Sequence, residues 1–215
     1  MTEVTKQRDT LAKWAKSMFD RGLTGGASGN ISLRLSDGTL LVTPTGSSMG
    51  FLDPGRISHL DEAGLLLSGD APTKEMPLHS AFYETRTNTG AVVHLHSSHS
   101  VALSVLPDID PDNVLPPLTA YSIMRLGKVK LLPFFLPGDP EMGDAVRGLA
   151  GKRSAVLLAH HGPVVAGKDL EAAVYAMEEL EETAKLALLT QGLSPRLLNE
   201  QQIGAVVRKF DVDWD

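Results

Sequence analysis

Three of the seven histidines, His94, His96 and His99, fall within six positions of one another, directly after the apolar run at 91–93. In a strand the side-chain period is two, so His94 and His96 share a face with Val92 while Val93 and Leu95 point the other way. That spacing presents two imidazoles side by side to one small cation. A catalytic zinc needs a third protein ligand and keeps a fourth position open. The candidates are His99, on the segment that follows, and His160 or His161, at the end of a second apolar strand just before Gly162-Pro163. Alternation alone does not choose between His160 and His161. The competing reading is that these histidines cap strands or bond backbone carbonyls, and the second histidine cluster at a strand end favours the metal. His59 and His79 stand alone and read as structural. The sequence has no cysteine, so any ion must take nitrogen and oxygen ligands, and disulfides are excluded.

The second chemistry is anion binding. The loop "GGASGN" leads into a strand rather than a helix, so neither the dinucleotide fingerprint nor the P-loop applies, although a nest of backbone N–H groups remains open to it. Asn30, Thr45, Gly46, Ser47 and Thr73 offer short side-chain or backbone donors, and Lys74 adds a full positive charge. Taken singly, each is an ordinary turn residue. Glu75, next to them, is a carboxylate suited to proton transfer if it lies near the ion. The run Glu178, Glu179, Glu181 and Glu182 reads as a solvated or interfacial helix face, because consecutive positions cannot all face one ion.

Elements must bring these groups together. Apolar residues at three- and four-residue steps from Val4 to Phe19 predict an amphipathic helix stopped by Gly22. Ile31, Leu33 and Leu35 alternate with polar residues, and Asp37-Gly38 turns the chain into a strand at 40–43. A second hairpin is expected at 57–60 and 65–68. Helices follow at 76–86, with Pro77 in its first turn, and from a Ser98 cap through 106. The Pro- and Asp-rich stretch 107–117 reads as a loop. Strands are expected at 130–134 and 155–159, and between them a helix capped by Asp139 with Pro140 at its first position. The longest helix spans 170–191, with Gly192 as its stop. The tail from Ile203 onward is ambiguous, its apolar residues suggesting that it docks on the same or a neighbouring subunit. Hairpins interleaved with helices predict a mixed sheet covered on both faces.

Composition bounds the partners. The chain has 215 residues, 42% of them hydrophobic, and a formal net charge of -6. Nothing supplies the basic stripe that nucleic acid or an anionic membrane surface requires. The N-terminus is polar, and no apolar run approaches the ~18 residues of a membrane span. One domain in a soluble cytoplasmic protein is expected, without nucleic acid or membrane partners.

The stretches "GGASGNISLR", "LVTPTGSSMG", "APTKE", "AVVHLHSSHSVAL", "LTAY" and "LLAHHGPVVAG", followed by "AVYAMEELEETAKLALL", resemble in order the class II aldolase/adducin family. Within it, "MGFLDPGRIS", "VLPPLTAYSIMRLG", "PGDP" and "ELEETAKL" are most similar to the bacterial 3-oxo-tetronate 4-phosphate decarboxylases. The resemblance implies one domain over 1–215, a three-layer α/β/α fold around a mixed, mostly antiparallel sheet, and a homotetramer with the site at a subunit interface. It implies one divalent ion per subunit, Zn2+ with Mn2+ as the other choice, held by His94, His96 and His161. Glu75 falls on the acid/base carboxylate, which can also fill a metal position. Asn30, Thr45, Gly46 and Thr73 fall on the phosphate contacts, with Lys74 beside them, and Tyr121 on a tyrosine that reaches a neighbouring subunit's site. The activity implied is metal-dependent loss of CO2 from a small phosphorylated sugar acid through an enediolate, giving dihydroxyacetone phosphate. The alternatives are a fuculose-phosphate-like aldolase and, behind it, an epimerase, a dehydratase or a non-catalytic adducin-like domain. One departure stands out: "TKE" places Lys74 where the phosphate aldolases have a serine.

Overall fold

The computed structural model describes residues 2–214. The first helix, α1 (Glu3–Asp20), is capped by the Thr2 side chain on the Thr5 N–H and buries Leu11, Ala15 and Met18. A hairpin follows, β1 (Asn30–Arg34) and β2 (Leu40–Val42), and then β3 (Ser58–Leu60) and β4 (Leu66–Ser68). Helix α2 (Met76–Thr85) precedes β5 (Ala91–His94), α3 (Ser98–Ser104), α4 (Ala120–Leu126) and β6 (Lys130–Leu132). The chain closes with α5 (Glu141–Arg147), β7 (Ala155–Leu158), β8 (Gly162–Gly167), α6 (Leu170–Thr190) and α7 (Glu200–Phe210). Among the described residues the strands form one sheet in the order β4-β3-β2-β1-β5-β8-β7-β6. Every neighbouring pair is antiparallel except β6 with β7.

Period-two alternation sorts the strand side chains into two cores. Ile31, Leu33, Val93, Leu157 and Val165 pack with Leu11 and Met18 of α1 and Met177 of α6. Val92, Val156, Val164 and Ala166 pack on the other face with Leu78 and Phe82 of α2 and Met142 of α5. Helices thus cover both faces, which makes the three layers. His94 lies on the face of Val92 and so under α2.

Several expectations need adjusting. The strand at 91–96 ends at His94 in the sheet, although Leu95 stays buried and the alternation continues to His96. Ser98 is the first residue of α3 rather than its cap. Ser97 occupies the cap position but makes no capping bond, because its hydroxyl donates to the Leu23 carbonyl. Similarly, Pro140 sits at the cap of α5 while the Asp139 carboxylate accepts from the Glu141 N–H. Helix α4, strand β8 and the tail helix α7 go beyond the sequence reading. Among the described residues no helix is long and apolar enough to cross a membrane.

Candidate functional site

The central three strands build the site. Asn30, at the head of β1, is in register with His94 on β5, and His94 is in register with Val164 on β8. The hairpin from β7 to β8 turns through residues 159–161, so its His161 arrives beside the end of β5. Two glycines make that approach possible. Gly162, at φ +154°, faces the Leu95 carbonyl so closely that a Cβ would overlap it, and Gly29, at φ +81°, would place a Cβ 2.9 Å from the His94 carbonyl oxygen.

Three imidazoles converge. His161 Nε2 lies 3.3 Å from His94 Nε2 and 3.1 Å from His96 Nε2. His94 donates from Nδ1 to the Pro163 carbonyl at 2.9 Å, which leaves its Nε2 as a bare lone pair facing inward. That outer bond to a carbonyl is the usual orienting partner of a ligating imidazole. Burial holds all three rings below the ordinary imidazole pKa. For His94 the effect is largest, and the nearby His161 and His96 add to it. Nitrogens about 2.0–2.1 Å from one tetrahedral ion stand roughly 3.3 Å apart, so the donor set and the two separations at His161 fit a zinc-type ion, with all three donor atoms within 4.8 Å of one another.

Glu75 completes the cluster. Its Oε1 lies 3.3 Å from His161 Nε2 and its Oε2 lies 3.5 Å from His94 Nε2. The residue caps α2, where the N–H groups of Leu78 and His79 bond its carbonyl and its own N–H bonds Thr73 Oγ1 at 3.2 Å. Asn30 Nδ2 donates to Glu75 Oε2 at 2.7 Å. Glu75, Asn30 and His94 are buried, whereas His96 keeps part of its surface in solvent.

Segments 43–45 and 71–73 are zipped together by backbone bonds from Thr45 N to Ala71 O and from Thr73 N to Thr43 O. Thr73 is thereby held next to Glu75, while Thr45 and Gly46 stand exposed on the adjoining loop. With Pro44, Ser47 and Arg56 they line a hollow of 220 Å³. Lys74 is exposed, its Cβ against Gly138. Tyr121, 61% exposed on the first turn of α4, takes no part in the hydrogen-bonded network around Glu75 among the described residues. His160 stands outside the cluster, its ring T-shaped to Phe134, and His99 is engaged by Glu181. Of the candidates for the third imidazole, His161, only 8% exposed, is the one that meets His94 and His96.

Other members of the network were not singled out from the sequence. His79, read as structural, bonds Asn30 and Ser32, and Ser32 bonds Tyr83. Two spacings pointed to them: His79 lies four residues after Glu75 at a helix start, and Ser32 lies two after Asn30 on a strand. Glu181, read as part of a solvated or interfacial helix face, is the carboxylate that accepts from the N–H groups of His99 and Ser100, both at 2.9 Å.

Residues 9–188 match the family described as Class II Aldolase and Adducin N-terminal domain. The chain is 47% identical over 196 residues to a 3-oxo-tetronate 4-phosphate decarboxylase of Escherichia coli O6:H1, covering 91% of this chain and 92% of that one. The crystal structure of YgbL from Escherichia coli superposes with a TM-score of 0.93 at 44% identity, over 95% of this chain and 99% of that one. The L-fuculose phosphate aldolase of Escherichia coli K12 is 33% identical over 193 residues, 88% of this chain and 86% of its own.

Proposed function

The chain belongs to the class II aldolase and adducin family, and from that premise we propose that it is a lyase that decarboxylates a 3-oxo-tetronate 4-phosphate to dihydroxyacetone phosphate and CO2. The observation that carries this reading is the 47% identity to a named decarboxylase over nearly the whole of both chains. The convergence of three imidazoles and a carboxylate supports it chemically.

His94, His96 and His161, with Glu75 beside them, would hold one divalent ion, taken here as zinc, whose Lewis acidity draws electron density from the C3 ketone. The chain's own groups do the rest. The C1–C2 bond breaks, CO2 departs, and the bonding pair moves into a C2–C3 enediolate. Glu75, entering the step as the carboxylic acid, delivers its proton to C2, which completes dihydroxyacetone phosphate and leaves a carboxylate that solvent reprotonates. Asn30 holds the carboxylate in place through its 2.7 Å bond. Thr45, Gly46 and Thr73 would receive the phosphate, with Asn30 at their edge, and Lys74 would answer the second anion that a sugar acid brings. Tyr121 is assigned to a neighbouring subunit's site in a cytoplasmic homotetramer.

An aldolase reading is favoured by the 33% identity to an L-fuculose phosphate aldolase. Retro-aldol cleavage leaves the same enediolate but expels an aldehyde instead of CO2. The two are separated by assaying the zinc-loaded protein with stereoisomeric 3-oxo-tetronate 4-phosphates and with ketose 1-phosphates. CO2 release from one of the acids is expected. Aldehyde release from a ketose phosphate with no CO2 from any acid would overturn the decarboxylase reading.

A further inference from the structure

Behind Glu75 runs a chain of buried hydrogen bonds whose directions follow from the orientation of the Asn30 amide. Asn30 Nδ2 donates to Glu75 Oε2 at 2.7 Å, so the other end of that amide, Oδ1, faces away and meets His79 Nε2 at 2.5 Å. A carbonyl oxygen only accepts, so His79 must carry its proton on Nε2. A neutral ring then has a bare Nδ1, and this nitrogen lies 2.7 Å from the Ser32 hydroxyl, which must donate to it. Ser32 in turn accepts from the Tyr83 hydroxyl at 2.9 Å. Ser32 and His79 are fully buried, Tyr83 nearly so. Neither the ligand set nor the proposed proton transfer uses His79, Ser32 or Tyr83.

We infer that His79 is a positioning residue for Glu75: its Nε2–H pins the Asn30 amide with the NH2 end toward the carboxylate, and Ser32 and Tyr83 pin the ring. The alternative arrangement shows what is at stake. With its proton on Nδ1, the ring would present a lone pair to Asn30. The amide would have to turn its NH2 toward the ring and its carbonyl toward the Glu75 carboxylate, oxygen against oxygen. One proton on one ring thus decides whether Glu75 is held or repelled at the end of its buried pocket.

The inference rests on the proposed role of Glu75, and two measurements keep the two failures apart. The first needs no substrate. Nitrogen-15 NMR of the metal-free protein should show His79 neutral, protonated on Nε2 and bare on Nδ1. An Nδ1–H tautomer would overturn the inference whatever the enzyme turns over. The second measurement uses His79→Phe, which fills the ring's space without hydrogen bonds, and His79→Gln, whose amide nitrogen reaches about as far as Nε2 and can donate to Asn30. On whichever substrate the wild type accepts, His79→Phe should lower kcat about 10- to 100-fold while bound zinc and KM change by less than about threefold. His79→Gln should restore most of kcat. Unchanged kcat in His79→Phe, or equal losses of kcat, zinc and melting temperature in both variants, would overturn the inference. Should His79→Phe fail to fold, the tautomer and the activity of His79→Gln still decide.

Discussion

Glu75 sits within 3.5 Å of two imidazole nitrogens and accepts from Asn30, so its charge and its proton can be tested apart. Glu75→Gln keeps the volume and an oxygen but removes the acid, and turnover should fall by about two to four orders of magnitude. Metal analysis should still find zinc bound by His94, His96 and His161. Near-normal turnover would remove Glu75 from proton transfer. His94→Ala, by contrast, removes the ring anchored on Pro163 and should abolish bound zinc and activity together. If a chelated preparation kept full activity, the metal reading would fall with it. The buried histidines also make an acid-stability prediction for the metal-free protein. His79 is lowered from 6.5 to about 3 by burial, with His94 adding to the effect. Between those values the unfolded chain binds a proton that the folded chain refuses, so stability is intact above about pH 6.5 and drains away as the pH falls. His79 alone should cost about 2 kcal/mol between pH 7 and pH 5. Denaturant unfolding at the two pH values checks this, and His79→Gln should flatten the slope by that share.

Helix α3 leaves β5 four residues after His94, and one carboxylate from the distant α6 fixes its entry. Glu181 accepts from the His99 and Ser100 N–H groups, from the Ser100 hydroxyl at 2.6 Å and from His99 Nδ1 at 2.8 Å. Replacing Glu181 by Ala should destabilise the fold by about 1–3 kcal/mol, since a half-buried charged acceptor is lost together with the bonds it makes at the helix start. It should also weaken zinc binding, because His96 lies between β5 and α3. Thermal melts and competition for zinc measure the two effects, and a variant as stable and as tight-binding as wild type would refute the link. The same region shows what the sequence could and could not convey. Alternation is local, so the shared face of His94 and His96 is readable from residues 91–96 alone. Which segment crosses to meet them depends on the pairing of β5 with β8, a contact between residues about seventy positions apart, and no local pattern encodes it. Strand β8 itself was hidden because Gly162-Pro163 reads as a turn, although the Pro163 carbonyl is the group that orients His94. Glu181 was misread for a related reason: its role depends on α6 packing against α3. Helix α7 was legible in principle, since Asn199 and Gln202 form a reciprocal capping box at its start.

In the isolated chain, exposed apolar side chains lie beside the segments that carry His160, Lys74 and the loop of Thr45. Phe134 and Leu136 are 58% and 65% exposed, the Phe134 and His160 rings meet in a T-shaped arrangement, and the segment continues to Gly138 against Lys74. Phe51, next to the loop of Thr45 and Gly46, is exposed as well. Such a rim is what a second copy would cover, and it gives the assignment of Tyr121 to a neighbour's site a physical setting. Complementation tests that assignment. A His94→Ala subunit has no ion but an intact Tyr121, and a Tyr121→Phe subunit has the reverse defect. If Tyr121 serves a neighbour in a ring, a site works whenever a Tyr121→Phe subunit is followed by a His94→Ala subunit. Random one-to-one mixing then brings back about a quarter of wild-type activity per subunit, because each position is filled suitably about half the time. If Tyr121 serves its own chain, every site carries one of the two defects and mixing recovers nothing above the parents. The readout is turnover after the two variants are co-expressed or unfolded and refolded together, with each homo-oligomer assayed alone as the baseline.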